Sequence, residues 1–154
     1  YHRWVHALGA RCALRRADHA TIFAAIAGSA TPIVLWSMPG VAGGGLLGAI
    51  WSAAAVGAWC KLGRRPIGDR VGTLVYGVTT ALGALAVPAL WQRHGAGPAS
   101  LVVAGGVTYL VGAACFALHW PTLRPAVFSF HEVWHVFTVV AAGLQLAAIW
   151  MLAT

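Results

Sequence analysis

His131-Glu132-Val133-Trp134-His135 combines the residue types and the spacing best suited to chemistry in this chain. Two histidines four apart fall on one face of a helix, one turn above each other. Neutral imidazoles placed that way can share one divalent metal, most often zinc. The glutamate between them completes an H-E-x-x-H pattern, in which Glu acts as the general base of a metalloprotease. The other polar groups able to join such a site are Asp18, its neighbour His19, and His2 and His6 near the start of the chain.

The surroundings of these residues are apolar. The chain has 154 residues, of which 60% are hydrophobic and only 8% charged, with a mean hydropathy of +0.78. A soluble domain carries about 25% charged residues. The deficit is too large for a water-facing surface, so the expected solvent is lipid. Eight Trp and 19 Gly agree, because Trp favours the membrane interface and Gly lets helices approach closely. The net charge of +7 comes from ten Lys and Arg against three Asp and Glu. These cations sit between apolar runs rather than along a stripe, which argues against nucleic acid as a partner and for the lipid bilayer. Cys12, Cys60 and Cys115 are odd in number and widely spaced, a pattern that suggests neither a disulfide framework nor a cysteine zinc site. The chain begins at Tyr1 without Met or a signal segment, and so reads as a fragment or processed form.

Five apolar runs are long enough to cross a bilayer: about Ala20–Trp36, Val41–Cys60, Val71–Trp91, Ala99–His119 and His131–Leu152. The expected fold is all-α, a polytopic membrane helix bundle with five transmembrane helices forming a single domain over residues 1–154. Pro32 is expected to kink the first span. Gly44-x-x-x-Gly48 and Gly105-Gly106 suit close helix packing. Five spans place Arg3, Arg11, Arg15, Arg16, Lys61, Arg64, Arg65, Arg70 and Arg124 on one side and only Arg93 on the other. Positive loops mark the cytoplasm. The chain start is therefore expected inside the plasma (inner cell) membrane and Thr154 outside it.

This topology, read from Lys and Arg alone, gathers His131, Asp18, His19, His2 and His6 at one cytoplasmic layer. His135 lies one turn deeper, about 6 Å along the axis. Three histidines and a water make a zinc site of the open, catalytic type. Asp18 could orient or deprotonate the water, whose pKa zinc lowers to about 7. His94 and His119, both at span ends, read as solvated interfacial residues.

The ordered set Tyr1-His2-Arg3, Ala17-Asp18-His19-Ala20-Thr21-Ile22-Phe23, Ile26-Ala27-Gly28-Ser29-Ala30-Thr31-Pro32 and Phe130-His131-Glu132-Val133-Trp134-His135 resembles the haemolysin-III-type membrane proteins. These belong with the adiponectin and progestin receptors and the alkaline ceramidases. The resemblance implies a seven-helix fold with zinc near the cytoplasmic face, the five spans here being helices three to seven. It implies His2, His131 and His135 as the zinc ligands and Asp18 as the residue that contacts the water, with His19 accompanying it. The family's Ser, four residues before its first His, would precede Tyr1.

Three functions follow as expectations. The first is a zinc-dependent hydrolase acting on a lipid amide or related bond, with Asp18 handling the proton. The second is non-enzymatic: a pore-forming, haemolytic or receptor-like protein in which zinc is structural. No span carries the repeated polar stripe of a water-filled pore. The third is an intramembrane zinc protease that uses Glu132 as its base. No acidic residue follows Glu132, and under the resemblance this side chain hydrogen-bonds at the helix N-terminus, where negative charge is favoured. The sequence names no oligomeric state.

Overall fold

The structure, a computed structural model, describes residues 8–62, 69–121, 123 and 128–154. Six helices run in chain order: α1 Leu8–Ser37, α2 Val41–Leu62, α3 Asp69–Ala84, α4 Val87–His94, α5 Ala96–Leu118 and α6 Phe130–Ala153. Five stretches are long and apolar enough to span a membrane: Arg16–Ser37, Val41–Leu62, Leu74–His94, Ala96–Leu118 and Phe130–Ala153. The architecture is the expected helical bundle. Large apolar side chains such as Leu35, Leu74, Val139 and Leu146 point outward, as they must where the outer solvent is hydrocarbon.

Proline acts differently at two places. Pro32 lies inside α1, which continues through it to Ser37. A break falls in the third span, which is two helices. Pro88 stands near the start of α4 and has no N–H to offer the carbonyl of Ala84 four residues back. α3 ends at Ala84, and a tight turn follows in which Leu85 N donates to Leu82 O (3.1 Å) and Ala86 N to Gly83 O (3.2 Å).

Inside the bundle, Phe23, Ile26 and Ala27 of α1, Ile50 of α2, Tyr76 of α3, Tyr109 and Phe116 of α5 and Trp134 of α6 form one buried cluster. The closest helix approaches are made over single glycines. A Cβ on Gly112 would come within 2.6 Å of the Phe137 Cβ, and one on Gly57 would run into the Phe23 ring. Gly105 meets Gln145 and the Ala141 carbonyl, whereas positions 44, 48 and 106 have open space where a Cβ would go. Of the glycines singled out in sequence, only Gly105 makes a close contact. Trp51 Nε1 donates to Thr31 Oγ1 at 3.1 Å and ties α2 to α1.

Alternating spans bring the start of α1, the end of α2, the start of α3, the end of α5 and the start of α6 to one end of the bundle. Asp18 and His131 meet there.

Candidate metal centre

α6 starts abruptly because Ser129 caps it. Ser129 has an extended backbone (φ −99°, ψ −176°), and its hydroxyl accepts from His131 N at 3.4 Å. Glu132 Oε2 in turn accepts from Ser129 N at 2.8 Å and from Ser129 Oγ. Ser129-Phe130-His131-Glu132 is thus a reciprocal capping box, which satisfies helix-end donors that would otherwise lack partners. The box fixes the first turn of α6 and so the direction of His131. His135 stacks on the next turn, its ring centroid 4.7 Å from that of His131.

α1 supplies the third group. Asp18 Oδ2 lies 3.5 Å from His131 Nε2 and 3.5 Å from His135 Nε2, and the two Nε2 atoms are 3.1 Å apart. These three atoms form a nearly equilateral triangle. A tetrahedral zinc site with bonds of about 2.0–2.1 Å has ligand-to-ligand edges of about 3.3 Å. The triangle matches one face of such a tetrahedron. By contrast, 3.5 Å is long for a charge-assisted N–H···O bond, which runs about 2.7–2.9 Å. The donor set, two imidazole nitrogens and a carboxylate oxygen, suits zinc or a similar divalent ion. Among the described residues, Asp18, His131 and His135 are the group placed to hold a metal.

The triangle faces an open cleft of about 430 Å³ lined by Leu14, Ala17, Asp18, Thr21, His131, Glu132 and His135. Side-chain exposures of 20% for His131, 39% for His135 and 36% for Asp18 leave the ligand atoms within reach of an incoming molecule. The back of the site is aromatic. Phe116 lies against His131, ring centroids 6.0 Å apart, and against Trp134 at 5.7 Å. Trp134 meets Tyr76 edge-on at 5.0 Å. Thr21 Oγ1 donates to the Asp18 carbonyl at 2.8 Å, on the turn that carries the carboxylate.

A family model described as haemolysin-III related matches residues 1–146. This chain belongs to the haemolysin-III-related family. It is similar to Hemolysin-3 of Bacillus cereus, 34% identical over 130 residues that cover 83% of this chain and 56% of that protein. It is similar also to the Hemolysin-3 homolog of Bacillus subtilis (strain 168), 31% identical over 122 residues, 79% of this chain and 54% of that protein. The chain therefore spans about half the length of these curated relatives. No solved structure matches it.

In this haemolysin-III-related chain the structure brings together three of the residues singled out in sequence: Asp18, His131 and His135. His2, expected as the third histidine ligand, lies outside the described residues, as does His6. His19 follows Asp18 on α1. His94 is at the opposite end of the bundle, its Nε2 3.3 Å from the Trp36 carbonyl oxygen. His119 caps α5 in the left-handed region (φ 54°) and packs on Phe130 at 4.6 Å. Sequence reasoning passed over Ser129, although S-x-x-E before an apolar run is a readable capping signal. It also passed over Phe116, which no spacing rule connects to a histidine on the next helix.

Proposed function

We propose that this protein is a zinc-dependent membrane hydrolase that cleaves a lipid amide or related bond at the cytoplasmic end of the bundle. The observation that carries the reading is the triangle of His131 Nε2, His135 Nε2 and Asp18 Oδ2 at 3.1–3.5 Å on an open cleft at the end of two membrane spans. A lipid can bring its polar linkage to that depth while its chains stay in hydrocarbon.

His131 and His135 would hold the metal, with His2 as the third histidine and Asp18, the remaining corner of the triangle, placed on the metal's water rather than on the metal itself. Zinc bound there would supply Lewis acidity toward a carbonyl and a water. Asp18 takes the proton of the attacking water and returns it to the leaving nitrogen as the C–N bond breaks. Leu14 and Ala17 give the cleft an apolar side for the acyl chain. The capping box keeps Glu132 turned back onto Ser129, which favours this reading over a protease with Glu132 as base. The excess of cations at the same end supports a cytoplasmic site in the cell membrane.

The test is a lipid-amide hydrolysis screen on the full-length protein with and without chelator, with zinc content measured in parallel. Zinc bound in the wild type should fall by more than half in His131→Ala and in His135→Ala, and fatty-acid release should be lost with it. Unchanged zinc content in both variants would sink the site. A second reading comes from the names of the relatives, both hemolysins: lysis of red cells without hydrolysis. If His131→Ala abolishes zinc binding and leaves full haemolysis, that activity is independent of the metal centre.

A further inference from the structure

Gln145 is the most deeply set polar side chain of α6. It is fourteen positions beyond His131, about 21 Å further along the helix axis, and so well inside a hydrocarbon layer about 30 Å thick. An amide at that depth is costly unless it has a partner. It does not face outward, where it could bind a neighbouring helix, for Gln145 is only 8% exposed. Its Oε1 is buried and has no hydrogen-bond partner among the described residues.

Gln145 borders a chamber of about 210 Å³ between α1, α3, α5 and α6, whose other walls include Ala30, Gly83, Ala84 and Val87. Two independent features meet at this chamber. One is the unpartnered amide oxygen. The other is the break between α3 and α4, where Ala84 has lost its helical donor to Pro88. Irregular backbone at membrane depth is tolerated where it is buried in protein or lines a cavity. The remaining lining is mostly apolar. Val103, Val107 and Leu110, which also line the chamber, are exposed on the lipid side, so the chamber can be reached from the bilayer.

We propose that this chamber binds an apolar molecule carrying one hydroxyl group, with the hydroxyl on the Gln145 amide. An alcohol both donates and accepts, and a primary amide does the same. A hydrocarbon body suits the walls. A small ion does not fit, because nothing among the lining side chains carries charge. The site is separate from the metal centre, and the proposal does not depend on that centre's function.

The test uses full-length protein in detergent, with thermal unfolding followed in the presence of 1-dodecanol or of dodecane. Dodecanol should raise the Tm of the wild type by at least about 3 °C, and dodecane by less than half as much. In Gln145→Leu the two compounds should become equivalent. In Gly106→Leu, where a side chain has open space at the chamber wall, both shifts should vanish. Zinc content should be unchanged in either variant, which keeps this result separate from any failure at the histidines. Equal shifts by the two compounds in the wild type would overturn the proposal, as would a preference for dodecanol that survives Gln145→Leu. If Gln145→Leu does not fold, Gly106→Leu decides: an undiminished dodecanol shift there places the alcohol elsewhere.

Discussion

Asp18 and Glu132 border the same cleft, and their hydrogen-bond geometry separates their roles. Glu132 is held by the backbone and the hydroxyl of Ser129, so its carboxylate is spent on the start of α6. Asp18 instead directs an oxygen between two imidazole nitrogens. Glu132→Gln keeps a group that can accept from Ser129 N. It should retain zinc and hydrolysis to within a factor of about three, since the expected change is about 0.5 kcal/mol. Ser129→Ala should cost about 1 kcal/mol of stability, as loss of a helix cap does, measurable as a lowered Tm, and zinc affinity should weaken because His131 loses its fixed direction. Asp18→Asn should lower hydrolysis by about 10²–10⁴-fold with zinc retained. If zinc is lost as completely as in His131→Ala, Asp18 is a ligand and the proton is handled by another group. The histidine pair and the aspartate were legible in sequence because chemistry that needs particular side chains leaves particular letters. The aromatic wall behind them was not, since Phe116 and Trp134 look like any other apolar residues of a span.

At the level of helices, the number of spans could be read because length and hydropathy suffice for it. The inward face of each helix could not. A span that is apolar all round gives no amphipathic stripe to say which side is buried, and glycine spacing is a poor substitute. Gly44 and Gly48 have the spacing of a packing motif and open space around them, while Gly112 and Gly57 have neighbours in contact. Two prolines behave differently in the fold: α1 continues through Pro32, while α3 ends four residues before Pro88. A prediction follows from the glycines. Gly112→Ala should destabilise by about 1–3 kcal/mol, because its Cβ forces Phe137 and α6 away from α5. Gly44→Ala should be neutral or stabilising by up to about 1 kcal/mol, because alanine is the better helix former. Thermal unfolding of both variants beside the wild type checks the pair. Equal losses would mean that the α5–α6 contact is not as close as the structure has it.

For the whole molecule, what matters is which way the bundle faces. All three groups of the candidate metal centre sit at the end where the topology expected from sequence gathers nine of the ten Lys and Arg, with Arg93 alone left for the other. Cations flanking short loops are retained on the cytoplasmic side, so under the proposed function a substrate would reach the cleft from the inner leaflet. The prediction is made on two exposed positions at opposite ends, Gln92 and Trp120. In a background with Cys12, Cys60 and Cys115 replaced by Ser, a membrane-impermeant maleimide applied to intact cells should label Gln92→Cys. It should label Trp120→Cys only after the cells are opened. The reverse pattern would put the histidines outside. Any metal bound by them would then come from the external medium, and the charge asymmetry would need another cause. Labelling of both positions in intact cells would mean that α5, Ala96–Leu118, the one apolar stretch between them, does not cross. A failure of the third span would not give that result, because that span lies before the segment separating the two positions; its helix is interrupted at Leu85-Ala86, and its second half, Val87–His94, is only 8 residues long. At about 1.5 Å per residue that half cannot traverse a bilayer by itself, so α3 and α4 cross as a pair or not at all.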